Sequence, residues 1–169
     1  NKIEGKALIA VVKDFLARNN IPEEHFTYDV NGLGYWLKGD FPRAVPFNNK
    51  MKASDSTRWN NTKSECADLF VRGLQSVSWS IDDTLLNKSF RDKKGYSFTV
   101  RERLMSERLA IKNKQTSKYA FEIIPKDEMK VIVGHSPDFI EALFMSEIIH
   151  DNKKKKLVRK GFSKCRGGW

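Results

Sequence analysis

The sequence predicts a single α/β domain, and three observations carry that prediction. Segments with apolar residues at helical spacing alternate with short aromatic or β-branched runs. The chain has 169 residues, 40% hydrophobic and 11% aromatic, enough for one core of ordinary size. No internal repeat is visible, so a repeat architecture is not expected.

The elements follow in order. Gly5 to Asn19 reads as an amphipathic helix with Ala7, Leu8, Val11, Val12, Phe15 and Leu16 on one stripe, ended by Asn19-Asn20 and Pro22. His25 to Val30 is a strand by its aromatic and β-branched content. Asn31 to Gly34 is a turn, and Tyr35 to Lys38 starts a short helix. Arg43 to Phe47 is a brief edge strand, because Pro46 has no donor. Asn48 to Thr57 is a polar loop. Trp59 to Val77 is a long helix with Cys66, Leu69, Phe70, Gly73 and Leu74 inward. Ser78 to Ile81 is extended and Asp82 to Leu86 begins a helical turn. Ser89 to Gly95 reads as a charged loop. Thr99 to Leu109 is a helix with Val100, Leu104 and Met105 inward. Tyr119 to Ile124 is a strand, and Asp127 to Lys130 is one helical turn. Ser136 to Ile149 is a helix with Ser136 at the N-cap, Pro137 at N1 and Asp138 in the first turn.

Composition removes several functions. There is no apolar run long enough for a bilayer and no signal peptide. Neither a GxxxxGK[ST] loop nor a GxGxxG turn occurs, so no nucleotide cradle of these types is present. Cys66 and Cys165 stand far apart without a CxxC, which excludes a zinc ribbon or a disulfide framework and fits a reducing, intracellular setting. The three histidines lie near no Gly-x-Ser-x-Gly elbow, against a serine hydrolase. The net charge of +10 points to a polyanion, with nucleic acid the usual one. That charge is uneven. Residues 153–169 hold Lys153, Lys154, Lys155, Lys156, Arg159, Lys160, Lys164 and Arg166 and no acid, which leaves +2 on the rest. We therefore divide the chain into a domain, 1–152, and a basic tail, 153–169. The tail is either an arm on phosphates or a solubilising end.

A few side chains could carry chemistry. Asp29 ends a strand just before a glycine-rich turn, where α/β sheets bind ligands, although an Asp there also makes Asx turns. Gly32 and Gly34 permit positive φ and the close approach of a phosphate. Asp138 and Glu141 are three apart and share a helical face. Asp138 has a bland explanation in the helix dipole, and Glu141 borders the apolar residues Phe139, Ile140, Leu143 and Phe144. A carboxylate there needs a partner, and a divalent metal is one candidate. Lys126 and Lys130 flank the turn leading into that helix and either meet phosphates or are simply solvated. His135 reads as a surface or capping side chain. Trp59, Phe70 and Trp79 read as core rather than stacking platforms.

Taken together, certain stretches are familiar. They are Tyr28-Asp29-Val30-Asn31-Gly32-Leu33-Gly34, Ala44-Val45-Pro46-Phe47-Asn48, Trp59-Asn60-Asn61-Thr62-Lys63, Lys126-Asp127-Glu128-Met129-Lys130 and His135-Ser136-Pro137-Asp138-Phe139-Ile140-Glu141-Ala142-Leu143. In this order the sequence resembles the C-terminal nuclease domain of a tailed-phage terminase large subunit, from about Gly5 to His150. The most specific pieces are the strand ending in Asp before Gly-x-Gly and the Ser-Pro-Asp-x-x-acid-Ala helix.

The resemblance implies an RNase H-like mixed sheet flanked by helices and an endonuclease that cuts concatemeric viral DNA during packaging. It implies a two-metal site for Mg²⁺ or Mn²⁺, with Asp29 and Glu141 as catalytic ligands and Asp138 assisting. It implies double-stranded DNA as partner, contacted by Gly32, Gly34, Lys126, Lys130 and the tail cations Lys153, Lys154, Lys155, Lys156, Arg159 and Lys160. Portal and small terminase subunit are further implied partners, with no membrane and no nucleotide, in the cytoplasm of the host of a virus or prophage. Two departures stand out. Glu141 replaces the usual Asp. The family's first strand, with its first catalytic Asp, and its ATPase motor have no counterpart, so the domain reads as N-terminally incomplete. A chain lacking one acid is expected to bind metal poorly and to cut slowly or not at all. The alternative function is a non-catalytic DNA-binding or packaging-complex interaction module of the same fold.

Overall fold

The computed structural model describes residues 5–31, 33–92, 94–114 and 120–150. Among these residues it is a mixed α/β structure with two small sheets, and it divides into two compact units, residues 5–49 with 145–150 and residues 50–144.

In the first unit, helix α1 spans Gly5–Arg18 and strand β1 spans Thr27–Asp29. A 3-10 helix, Leu33–Leu37, follows where a short helix is predicted, and strand β2 is Val45–Phe47. β1 and β2 are parallel, with Tyr28 opposite Pro46. The bonds between them run from Val45 N–H to Phe26 C=O (2.9 Å) and from Val30 N–H to Phe47 C=O (3.0 Å). Pro46 therefore sits at the position whose donor would face away from β1, which is how a proline is tolerated here. Leu16, Tyr28, Leu37, Phe41 and Ala44 form the core, with Leu8, Ile9, Val12, Ile21, Phe26 and Val30 packed on it. The apolar stripe expected on α1 is wider than its contact: Val11 and Phe15 are exposed.

In the second unit, helix α2 spans Thr62–Gln75, capped by the Asn61 side chain, which accepts from Ser64 N–H. Cys66, Ala67 and Phe70 are buried, and the Phe70 ring meets the Phe144 ring edge-on at 5.8 Å. Gly73 is required by packing, since a Cβ there would lie 2.3 Å from the Trp79 ring. Trp59 and Phe70 are core, as expected, and Trp79 is half-buried against Phe70. Helix α3 is Asp83–Leu86, strands β3 and β4 are Ser89–Arg91 and Ser97–Thr99, and helix α4 is Val100–Glu107. Helix α5 is Lys126–Val133, and helix α6 covers residues 138–150, of which 138–144 belong to this unit.

The hairpin β3–β4 replaces the loop expected at Ser89 to Gly95. The Asp92 carboxylate accepts from Lys94 and Tyr96 N–H, and Gly95 has φ 88°, so the turn is built locally. Phe90 and Phe98 face one another across the strands, and both rings meet Phe139 edge-on. The strand expected over Tyr119 to Ile124 is not formed by its described residues. Phe121 bridges to Trp59 while Ile123 bridges to Asn113, so alternate residues pair with different segments and no ladder develops. Tyr119 itself lies outside the described residues. Ser78 to Ile81, expected only to be extended, carries no regular element. α5 is longer than one turn because Met129 is fully buried and Gly134, at φ 74°, supplies a left-handed stop. In α4, Met105 points outward.

Candidate active site

The first turn of α6 holds the two acids that the sequence singles out. The first intrahelical bond runs from Glu141 N–H to Pro137 C=O at 3.1 Å. Pro137 thus takes the cap position, and Ser136 lies one residue outside it, a correction to the predicted cap. The Ser136 hydroxyl donates to Asp138 Oδ1 at 2.7 Å instead. Asp138 and Glu141 share a face as their spacing demands.

Both acids meet lysines. Lys126, the first residue of α5, places Nζ 2.7 Å from Asp138 Oδ1 and 2.5 Å from Glu141 Oε2. Lys63, in the first turn of α2, places Nζ 2.5 Å from Glu141 Oε1. Each Glu141 oxygen is thus taken by a separate ammonium group. The pair Lys63–Glu141 is largely out of water, at 17% and 16% exposure, whereas Asp138 is 66% exposed. Burial pulls the Lys126 pKa down, but the hydrogen bonds to Asp138 and Glu141 outweigh it and hold it above its ordinary value. Burial pushes Asp138 up, and the bonds from Lys126 and Ser136 outweigh it, so its carboxyl sits below the usual range.

Sequence reasoning missed the role of Lys63, though a signal existed. Both Lys63 and Lys126 occupy the first turn of a helix, where the dipole disfavours a cation. A lysine placed against the dipole implies carboxylates nearby that outweigh it.

Glu107 was also missed. It ends α4 and is fully buried. Its Oε2 accepts from Ile140 N–H at 2.7 Å, inside the first turn of α6. Burial pushes its pKa up to about 7. The Ile140 N–H and the Arg103 charge oppose that shift, and the Asp138 charge adds to it. His135 Nδ1 is 3.2 Å from Ser136 O and 3.9 Å from Glu107 Oε1.

The other predicted residues are placed as follows. Asp29 ends β1 in the first unit, where its Oδ1 accepts from Asn31 N–H (2.9 Å) and Asn31 Nδ2 (3.2 Å), an Asx turn. Gly34 has no positive φ, and the backbone that comes close to it is that of Asp29: a Cβ at position 34 would lie 2.0 Å from Asp29 O. Lys130 pairs with Asp127 at 2.9 Å. Gly32, Lys153, Lys154, Lys155, Lys156, Arg159 and Lys160 lie outside the described residues. Among the described residues no three His, Cys, Asp or Glu side chains cluster as metal ligands, and no helix is long and apolar enough to cross a membrane. Even so, Asp138 and Glu141 converge on one cation position, marked by Lys126 Nζ. That position is filled by the Lys126 ammonium, with Glu141 also bound by Lys63.

No family model and no curated protein matches the sequence. Solved structures do. The nuclease domain of the large terminase subunit gp2 of bacterial virus Sf6 superposes with a TM-score of 0.53 at 18% identity, covering 82% of this chain and 70% of that one. A lysine-to-alanine mutant of that domain with manganese and β-thujaplicinol gives 0.57 at 17% identity, covering 84% and 71%. Such a mutant with calcium gives 0.52 at 18%, again covering 82% and 70%. The chain therefore shares its fold with this terminase nuclease domain, as the sequence led us to expect.

Proposed function

We propose that this protein is a divalent-metal-dependent endonuclease domain that cuts double-stranded viral DNA during genome packaging. The observation that carries the reading is the convergence of Asp138 and Glu141 on one cation position, in a chain with a terminase nuclease fold. Asp138 and Glu141 would hold Mg²⁺ or Mn²⁺, and the resemblance implies Asp29 as a metal ligand and a two-metal mechanism. The bound metal supplies Lewis acidity to a phosphate and lowers the pKa of a water. The chain's own residues do the rest. Lys63 holds Glu141 in place through Oε1. Lys126, released from the two acids, offers its charge to a DNA phosphate. The tail cations 153–160 add affinity that is sequence-independent and salt-sensitive. Portal and small terminase subunit are the proposed assembly partners.

A second reading is a non-catalytic DNA-binding module of the same fold. It is favoured by the lysine pairing of both Glu141 oxygens. A plasmid-nicking assay separates the two. In Mn²⁺ the chain should nick supercoiled DNA slowly, and Asp29→Asn and Glu141→Gln should each abolish that nicking. Cutting by Glu141→Gln at the rate of the unaltered chain would sink the nuclease assignment. DNA retention without cutting and without a Mn²⁺-dependent thermal shift would establish the second reading.

A further inference from the structure

The first turn of α6 leaves N–H groups that no preceding turn of the helix can accept. Sequence logic assigns that task to Ser136, but the Ser136 hydroxyl is spent on Asp138 Oδ1. The acceptor for Ile140 N–H comes from another element, Glu107 at the end of α4, 33 residues earlier in the chain. Glu107 is fully buried, and its Oε1 is sealed from water with no hydrogen-bond partner. Leaving a carboxylate oxygen in that state is costly, so the side chain is not there for its own solvation. What it holds is specific. Ile140 is buried and lies between Asp138 and Glu141, so a bond to its N–H sets the height and rotation of the turn that presents both acids.

We propose that Glu107 is a positioning residue for the Asp138–Glu141 pair, acting through Ile140 N–H rather than by touching metal or DNA. The role rests on the nuclease reading, because it matters only if the two acids hold a cation. Its chemical demand is an acceptor oxygen at one point, not a negative charge. Glutamine has that oxygen and leucine does not, although leucine fills a similar volume. Outer partners of metal ligands are worth about 10- to 100-fold in metal affinity when lost.

The test uses the full chain and Mn²⁺ alone, titrated by calorimetry, with hydrogen exchange at the Ile140 amide as a second readout. Glu107→Gln should bind Mn²⁺ within about threefold of the unaltered chain and keep Ile140 protected. Glu107→Leu should remain folded, expose Ile140 to faster exchange and bind Mn²⁺ about 10- to 100-fold more weakly. Should Leu not fold, Glu107→Met replaces it, since a flexible thioether fills the same space without the acceptor. Equal Mn²⁺ affinity in the unaltered chain and the leucine variant would overturn the inference. So would a tenfold loss in the glutamine variant, because charge and not the acceptor would then be the requirement. Absence of saturable Mn²⁺ binding in the unaltered chain would instead defeat the nuclease reading, and the positioning role with it.

Discussion

Asp29 and Glu141, the two acids on which the sequence places most weight, are held in opposite ways. Asp29 finds its hydrogen bonds two residues on, in its own turn. Glu141 finds its partners 15 and 78 residues away, on the first turns of α5 and α2. Glu107 belongs with Glu141, since its acceptor bond closes on Ile140. Asp55, Asp82 and Asp92 belong with Asp29, each accepting from backbone N–H groups two to four residues downstream. A locally satisfied carboxylate is indifferent to the rest of the fold. One satisfied across the fold is tied to it.

The largest expected effect tests that last statement through Glu107. Its folded pKa is about 7, above the ordinary 4.5, so the folded protein binds more protons than the unfolded one between these values. Stability therefore falls as pH rises from about 4.5 to about 7 and is flat above. The gap corresponds to something on the order of 3 kcal/mol. Urea unfolding across pH 4.5 to 8 should show this decline superimposed on other titrations, and Glu107→Gln should flatten it. An unchanged profile in Glu107→Gln would remove Glu107 from the set of carboxylates tied to the fold.

This division also explains what was legible in the sequence. Helices α1, α2 and α6, the strand ending at Asp29 and the edge strand with Pro46 all announce themselves by local periodicity or chemistry. So does the sharing of a face by Asp138 and Glu141. The hairpin did not, because Ser89 to Gly95 is polar except for Phe90, and Phe90 becomes intelligible only beside Phe98 and Phe139. The segment up to Ile124 has the composition of a strand, yet its neighbours offer it two partial partners instead of one full one. Lys63 and Glu107 were missed for the same reason. Their roles consist of a distance to a residue far along the chain, and no spacing rule encodes that. Only the misfit of a lysine in a helical first turn leaves a trace in the sequence.

A smaller effect is expected from neutralising Glu141. Glu141→Gln keeps shape and one acceptor oxygen but leaves Lys63, mostly buried, without its counter-charge. Breaking a fully buried pair costs about 3–5 kcal/mol, and this one is partly wet, so about 2 kcal/mol is expected from urea unfolding at pH 7. A second substitution separates charge from shape. In Glu141→Gln combined with Lys63→Met, the loss should be partly recovered, because no unpaired buried cation remains. If Glu141→Gln alone costs less than about 0.5 kcal/mol, the lysine pairs are ornamental to folding and the contrast with Asp29 weakens.

The smallest effect on stability is predicted where the proposed effect on activity is complete. Asp29→Asn retains an Oδ1 acceptor for Asn31 N–H, which is all that the Asx turn requires. Its unfolding free energy should stay within about 0.5 kcal/mol of the unaltered chain. Asp29→Ala, which removes the acceptor, should cost about 1 kcal/mol. A loss well above 1 kcal/mol for asparagine would mean that the charge at position 29 serves a partner elsewhere in the fold, and the two acids would no longer contrast. If instead the asparagine variant folds as before, the turn accounts for the oxygen at position 29 but not for its charge. A carboxylate that folding could replace with an amide, standing at the end of a strand in a nuclease fold, has its charge left over for a cation, and loss of nicking without loss of stability is the signature of that division of labour.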